Sequence, residues 1–129
     1  MLKMTVLAAC GGAIGASARY LVGVAATRTL GLTFPWGTLI INVVGSLAIG
    51  LLIGWLALRA SEDPAALRVF FAVGVLGGFT TFSAFALDIV TLLERKQAAS
   101  AFGYTMASVI LSVAAVFIGL AIMRQGVPR

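Results

Sequence analysis

Four long apolar stretches dominate this chain and restrict what it can fold into. They cover residues 4–26, 34–58, 69–93 and 98–123. Crossing the hydrocarbon core of a bilayer takes about 20 mostly apolar residues. Of the 129 residues, 61% are hydrophobic and only 10% are charged, whereas a soluble domain has about 25% charged residues. We therefore predict an all-α integral membrane protein in which residues 1–129 form a single domain of four transmembrane helices.

The composition also excludes several kinds of site. There is one cysteine, Cys10, and no histidine, so an intrachain disulfide and a Cys/His metal site are both excluded. The lack of histidine, carboxylate pairs and an activated nucleophile argues against an enzyme. The basic residues are spread along the chain, and most lie beside apolar runs, as is expected from membrane topology, so no nucleic-acid partner is expected. A lipoprotein-like box ends at Cys10, but the apolar stretch before it is too short for cleavage.

Basic residues are almost balanced between the two ends of the four spans. With an even number of spans both termini lie on one side, which carries Lys3, Arg59, Arg68, Arg124 and Arg129. The other side carries Arg28, Arg95 and Lys96, joined by Arg19 if its side chain reaches outward. Because an excess of Lys and Arg sets orientation, two interpretations stay open: a modest preference for one orientation, or copies that insert both ways and pair antiparallel.

Two spans carry polar residues at four-residue steps, which places them along one stripe of each helix. The stripes are Thr38, Asn42 and Ser46 in the second span and Ser100, Tyr104, Ser108 and Ser112 in the fourth. One buried hydroxyl usually bonds back to its own helix, but the Asn42 amide has more donors and acceptors than its helix can satisfy. We interpret the stripes as two walls of a hydrated or ion-lined path.

Arg19 is the only charged side chain inside the first span, about four turns from its start. An arginine at this depth either faces a cavity or partner or extends along the helix to the interface. In both cases it leaves a fixed positive charge close to the mouth of any path. That charge attracts anions.

Residues 77–85, GGFTTFSAF, combine weak helix formers and hydroxyls in the middle of the third apolar stretch. A glycine within a helix costs about 1 kcal/mol relative to alanine, and the hydroxyls of Thr80 and Thr81 compete for backbone groups. We predict a third helix broken at mid-membrane depth. Freed carbonyls there need protein, a cavity or an ion as partner, and half-helix ends can hold a sodium ion. A glycine-softened packing site is the alternative.

Phe82 and Phe85 are three residues apart and therefore share one face of a helix. An aromatic pair at this spacing is commonly part of a core, but a phenyl ring has a positive edge. Ring edges along a polar path would contact a small anion weakly, as conduction requires.

Three pairs of glycines have the spacing that allows two helices to pack closely. They are Gly11–Gly15, Gly50–Gly54 and Gly74–Gly78.

Three motifs together resemble the Fluc/CrcB family of bacterial fluoride channels. They are GGFTTFSAF at residues 77–85, GTLIINVVG at residues 37–45 and GASARY at residues 15–20. The resemblance covers the whole chain in length, number of spans and order of motifs, and the third-span motif is highly specific. Ala84 departs from it, since many relatives carry a hydroxyl residue there. Because Ala84 lies off the face shared by the two phenylalanines, we expect little effect on a pore.

The resemblance implies an antiparallel, dual-topology homodimer with two fluoride pores near the subunit interface. By this likeness Phe82 and Phe85 supply the ring edges, Asn42 lies at a vestibule and Arg19 is a vestibule charge. Path hydroxyls would come from Thr81, Ser83, Tyr104, Ser108 and Ser112. A structural sodium ion, not transported, would be held by backbone carbonyls of Gly77 and Thr80. The implied function is passive fluoride export through a multi-pass protein of the bacterial inner membrane.

A small dual-topology, proton-coupled multidrug exporter has the same gross shape and is the alternative function. Such exporters resemble one another in needing a carboxylate in the first span, and this first span has none. Asp88, near the end of the third stretch, is the only acid inside any span. An accessory membrane subunit without transport activity is a further class, which predicts unchanged ion flux when Phe82 or Asn42 is replaced.

Overall fold

The computed structural model describes residues 1–59 and 63–126, and the regular elements of this part are all helical. They are α1 (Leu2–Leu30), α2 (Trp36–Leu58), α3 (Pro64–Leu67), a π-helical segment (Arg68–Leu76), α4 (Gly77–Phe79), α5 (Phe82–Glu94) and α6 (Ala98–Gln125). The run Pro64–Glu94 is called the third span below. The loop predicted at Ser61 and Glu62 and the charge of Arg129 lie outside the described residues.

Four helical runs are long and apolar enough to cross a bilayer: α1, α2, the third span and α6. The predicted all-helical architecture with four transmembrane helices is confirmed at this level. Within the third span the first turns are not all α-helical, because the backbone of Arg68–Leu76 is wound more widely. Nothing in the apolar sequence of this segment marks the change.

Short polar connections end and begin the helices. Gly31 closes α1 with a φ of +83°, which favours glycine, and its N–H bonds to the Thr27 carbonyl at 3.1 Å. Asp63 caps the third span by accepting the Ala66 N–H at 3.0 Å, with proline in the first turn. The Lys3 ammonium lies 2.8 Å from the Asp63 carboxylate. This exposed ion pair places the start of α1 beside the start of the third span.

Glycines hold the helices at backbone distance, as the glycine spacing predicts. A Cβ added to Gly11 would lie 2.9 Å from the Cα of Gly74, and one added to Gly78 would lie 2.6 Å from the Gly12 carbonyl oxygen. The π-helical segment and α4 therefore pack directly on α1. On the other side of the bundle, α2 packs on α6, where a Cβ on Gly119 would lie 2.9 Å from the carbonyl carbon of Gly50.

The second half of the third span packs on α6 through larger side chains. Tyr104 is the centre of this contact and is 0% exposed. Leu39, Phe85, Leu92 and Ala101 form the buried cluster around it. The bundle is therefore held together by glycine contacts, of α1 with the third span and of α2 with α6, and by an aromatic core between α5, α2 and α6.

Candidate functional site

The helical winding of the third span is interrupted at two residues. Helix α4 ends at Phe79, and Thr80 (φ −77°, ψ 158°) and Thr81 (φ −152°, ψ 118°) are extended before α5 begins at Phe82. The Thr81 hydroxyl then accepts the Ala84 N–H at 3.2 Å and caps α5. Thr80 folds its own hydroxyl back to the Leu76 carbonyl at 2.9 Å. The two threonines thus end one helix and start the next.

Asn42 of α2 holds the extended residues in place with both ends of its amide. Its Nδ2 donates to the Thr81 carbonyl at 3.0 Å, and its Oδ1 accepts the Thr81 N–H at 2.9 Å. These two bonds replace the helical bonds that Thr81 would make in a continuous helix. The amide on the second span is therefore the side chain that completes the backbone of the third.

The break removes the helical donors of the backbone carbonyls just before it. In an α-helix the carbonyl of residue i accepts the N–H of residue i+4, so Gly77 would accept from Thr81 and Thr80 from Ala84. The Thr81 N–H is taken by Asn42 and the Ala84 N–H by the Thr81 hydroxyl, and Gly78 and Phe79 lose their donors in the same way. In a single subunit Gly77 is exposed and Thr80 is half-buried. At membrane depth a carbonyl without a donor needs protein, water or a cation as partner, and hard cations prefer oxygen ligands, so the carbonyls of Gly77 and Thr80 are suited to such an ion.

A cavity of about 470 Å³ opens beside the interrupted helix. It brings together most of the residues predicted for the path and the cation site. They are Asn42, Gly77, Thr80, Thr81, Phe82, Phe85, Ser108 and Ser112. Ser46, from the same stripe as Asn42, also lines it. The two polar stripes of the sequence therefore meet at this one cavity, below called the phenylalanine cavity.

The two phenylalanine rings of this cavity differ sharply in exposure. Phe85 is 8% exposed and packs on Tyr104, with ring centroids 5.4 Å apart. Phe82 is 79% exposed, although its ring centroid lies only 5.6 Å from that of Phe85. The first ring belongs to the core and the second to the outer surface of the subunit.

Ser108 and Ser112 present hydroxyls that are buried yet have no hydrogen-bond partner within the described residues. Buried hydroxyls are nearly always paired in folded proteins, and leaving one unpaired costs about 1–3 kcal/mol. Both oxygens belong to residues that line the phenylalanine cavity. Their unused hydrogen-bonding capacity is therefore available to a polar or charged guest there.

Two of the predicted path residues lie away from this cavity. Tyr104 stands behind Phe85, and its hydroxyl donates to the Asp88 carboxylate at 2.9 Å. Ser83 is on the exposed side of α5 and shares a 3.3 Å hydrogen bond with the Thr81 hydroxyl. Asp88 was not among the predicted site residues. Its position as the only acid inside a span was the signal for it.

Arg19 lines a second cavity of about 410 Å³, below called the arginine cavity. Its wall also includes Arg95 and Asp88, and Thr81 lines it as well as the phenylalanine cavity. Of the two interpretations of Arg19, the structure supports a side chain that faces a cavity. The arginine cavity is therefore lined by cationic residues, and the phenylalanine cavity by aromatic rings and by hydroxyls without a hydrogen-bond partner.

Comparison with known proteins gives a consistent result over nearly the whole chain. The sequence profile of the family described as "CrcB-like protein, Camphor Resistance (CrcB)" matches residues 6–120. A protein of Caulobacter sp. (strain K31) named "Fluoride-specific ion channel FluC" is 55% identical over 125 residues, 97% of each chain. Proteins of the same name from Hyphomonas neptunium and Agrobacterium fabrum are 54% and 52% identical, each covering 92% of this chain and 94% of their own.

Proposed function

The chain belongs to the CrcB-like family, a family of ion channels and not of enzymes, and from this premise we propose that it is a passive, fluoride-selective channel. The observation that carries the proposal is the phenylalanine cavity. It collects two aromatic rings, an amide and two unpartnered buried hydroxyls beside an interrupted helix. Relatives named as fluoride-specific ion channels, more than half identical to this chain, support the choice of ion.

The cavity suits a small anion that must pass without being trapped. Positive ring edges of Phe82 and Phe85 attract an anion weakly, and the hydroxyls of Ser108 and Ser112 replace part of its hydration shell. Neither group carries a full charge, so the ion is bound weakly enough to leave, as conduction requires. Thr81, Ser83 and Tyr104 extend the series of hydroxyls on either side of the rings.

A second copy, antiparallel to the first, completes the pore in this proposal. Phe82 is 79% exposed although it lines the cavity, so a partner would cover a ring that a single subunit leaves open. Leu87 and Val90, on the same helix, are 66% and 51% exposed. The balanced basic residues at the two ends of the spans fit subunits inserted in both orientations.

A sodium ion near the symmetry axis is the proposed partner of the freed carbonyls. Gly77 and Thr80 would contribute two oxygens from each copy, which gives four oxygen ligands in the dimer. Among the described residues no cluster of three His, Cys, Asp or Glu side chains offers another metal site. The ion would supply the positive charge that unpaired carbonyls need in a medium without water. It acts as a structural component and is not transported.

The chain is a multi-pass membrane protein, and we place it in the bacterial inner membrane because its named relatives are bacterial. A passive channel in that membrane would drain fluoride from the cytoplasm down its electrochemical gradient. The exporter alternative gains no support, because α1 carries no acidic residue and the Asp88 carboxylate is bonded to the Tyr104 hydroxyl.

Anion efflux from liposomes tests this function. Purified protein is reconstituted into liposomes loaded with potassium fluoride or potassium chloride. Valinomycin is added so that K⁺ leaves together with the anion, because otherwise the membrane potential that builds up would stop anion efflux. We expect fast fluoride efflux and negligible chloride efflux, without a proton gradient. Equal rates for the two anions, or no efflux, would overturn the proposal.

Removal of sodium tests the proposed cation. Replacing all sodium by a large organic cation should impair folding or fluoride flux. If folding and flux are both unchanged, the sodium assignment is wrong but the channel function is not affected.

A further inference from the structure

The arginine cavity lies at the end of the bundle opposite the Lys3–Asp63 pair. It is bounded by the last turns of α1, the connection to α2 and the end of α5. Two arginines from distant parts of the chain line it, Arg19 of α1 and Arg95, the residue after α5. In the sequence these two residues are 76 positions apart, and Arg95 resembles any basic residue that flanks a transmembrane span.

The two arginines are not neutralised by ion pairs. Within residues 1–59 and 63–126 the one ion pair joins Lys3 to Asp63 at the other end of the bundle. Asp88 lines the same cavity, but its carboxylate accepts the Tyr104 hydroxyl and has no cation within 4.0 Å. With two cations and one anion, the cavity has a net positive charge. Clefts lined by charge of one sign raise the local concentration of the opposite ion.

Thr81 lies between this cavity and the phenylalanine cavity. It is the residue of the interrupted span that lines both spaces, and its backbone is held by the Asn42 amide. An anion held in the arginine cavity is therefore one residue away from Phe82, whose ring lines the phenylalanine cavity. The charged space and the aromatic space are neighbours that share the wall formed by Thr81.

We infer that the arginine cavity is an anion-collecting mouth, in which Arg95 acts with Arg19 to concentrate small monovalent anions before they reach the phenylalanine cavity. This inference rests on the proposed function and adds Arg95 to it. The mouth attracts by charge and does not select among anions. Its contribution therefore depends on ionic strength, because the Debye length falls from about 30 Å at 0.01 M to about 3 Å at 1 M salt.

Lys96 provides a matched control for Arg95. It is the next residue, carries the same charge and is exposed, but it does not line the arginine cavity. Arg95→Gln and Lys96→Gln therefore remove the same charge from the same end of the protein, one at a residue that lines the cavity and one at a residue that does not. Gel filtration of both variants checks that each remains folded.

The experiment measures initial fluoride efflux from liposomes at about 0.01 M and about 1 M ionic strength, set with an impermeant potassium salt and balanced osmotically with sucrose. At low ionic strength we expect Arg95→Gln to slow efflux about twofold to fivefold, while Lys96→Gln stays at the wild-type rate. At high ionic strength the wild-type protein and both variants should have equal rates.

Several outcomes would overturn the inference. Wild-type rates for Arg95→Gln at low ionic strength would exclude a collecting role for this residue. An equal loss in Lys96→Gln would assign the effect to general surface charge, and a loss in Arg95→Gln that high salt does not remove would assign it to packing. In all three cases the wild-type protein still conducts fluoride. Absence of fluoride efflux from the wild-type protein is instead the failure of the proposed function.

Discussion

The two halves of the third span are built on opposite principles. The first half, from Pro64 to Phe79, lies against α1 with glycines at the contact, and none of its polar side chains lines either cavity. The second half, Phe82–Glu94, packs on α6 through aromatic rings and carries the polar contacts. The comparison indicates that close packing of the first half on α1 holds the span in place. The second half can then present polar groups to the cavities, although a polar group without a partner lowers the stability of the fold.

The largest expected effect is on the close-packed half. A Cβ added at Gly15 would clash with the carbonyl oxygen of Val75 and lie 2.8 Å from the Phe79 nitrogen. Because both are backbone atoms, neither can rotate away, and we expect Gly15→Ala to cost about 3 kcal/mol or more. Thermal unfolding in detergent, followed by gel filtration, measures the loss of folded protein.

Gly12 on the same helix is the matched control for this change. A Cβ at Gly12 would have no atom within 4 Å, so Gly12→Ala should unfold at the wild-type temperature or above it, since alanine favours the helix. Similar losses in both variants would show that the α1 contact is not specifically glycine-packed. The contrast between the two halves would then have no basis in packing.

The next effect concerns the junction between the halves. Asn42→Leu removes both bonds to Thr81 and leaves its N–H and carbonyl without partners, at a cost of about 1–3 kcal/mol for each group. We expect a lower unfolding temperature together with reduced fluoride flux. Ser46→Ala is the control, because Ser46 lines the same cavity one turn further along α2 but makes no hydrogen bond to the third span. If both variants behave alike, the Asn42 amide does not support the junction.

A smaller effect, confined to flux, is expected from the exposed ring. Phe82→Ile keeps an apolar side chain on α5 but removes the positive ring edge. We expect at least a tenfold loss of fluoride efflux, equivalent to about 1.4 kcal/mol, with an unchanged gel-filtration profile. Phe71→Ile in the first half is the control, because Phe71 is also exposed but lines neither cavity. Near-normal flux in Phe82→Ile would reduce the ring to a packing role.

Local sequence properties predict the features that depend on one helix at a time. Apolar length gives the four spans, glycine spacing gives the contacts of Gly11 and Gly78, and four-residue steps collect Ser108 and Ser112 on one wall. Weak helix formers also draw attention to Thr80 and Thr81. Each of these follows from helix geometry or intrinsic propensity, so no knowledge of the neighbouring helices is needed.

Features that join distant parts of the chain had no such signal. Asn42 meets Thr81 across 39 positions, and Asp88 meets Tyr104 across 16, and no periodicity specifies either pair. The shared cavity of Arg19 and Arg95 likewise arises only when α1 and the end of the third span are brought into one bundle. The wide winding of Arg68–Leu76 is also absent from the pattern, because its residues are apolar in the same way as those of the α-helices.

The smallest expected effect lies at the outer end of the close-packed half. The Lys3 hydrogen bond and the Ala66 N–H lower the pKa of the Asp63 carboxyl below its ordinary value. A carboxyl with a lowered pKa in the folded protein stabilises it at pH values above the unfolded pKa, and this stabilisation is lost as the pH falls through the folded pKa. Unfolding of the wild-type protein in detergent should therefore become slightly easier below about pH 4.

Asp63→Asn isolates this contribution, because asparagine keeps the capping oxygen for the Ala66 N–H while losing the charge that attracts Lys3. We expect a slightly lower unfolding temperature at pH 7 and a weaker response to acid than in the wild-type protein. Exposed pairs are screened by salt, so the difference should fade as the ionic strength rises. A large loss of stability would mean that the first half depends on its charged end, and that the glycine contacts with α1 do not hold it alone.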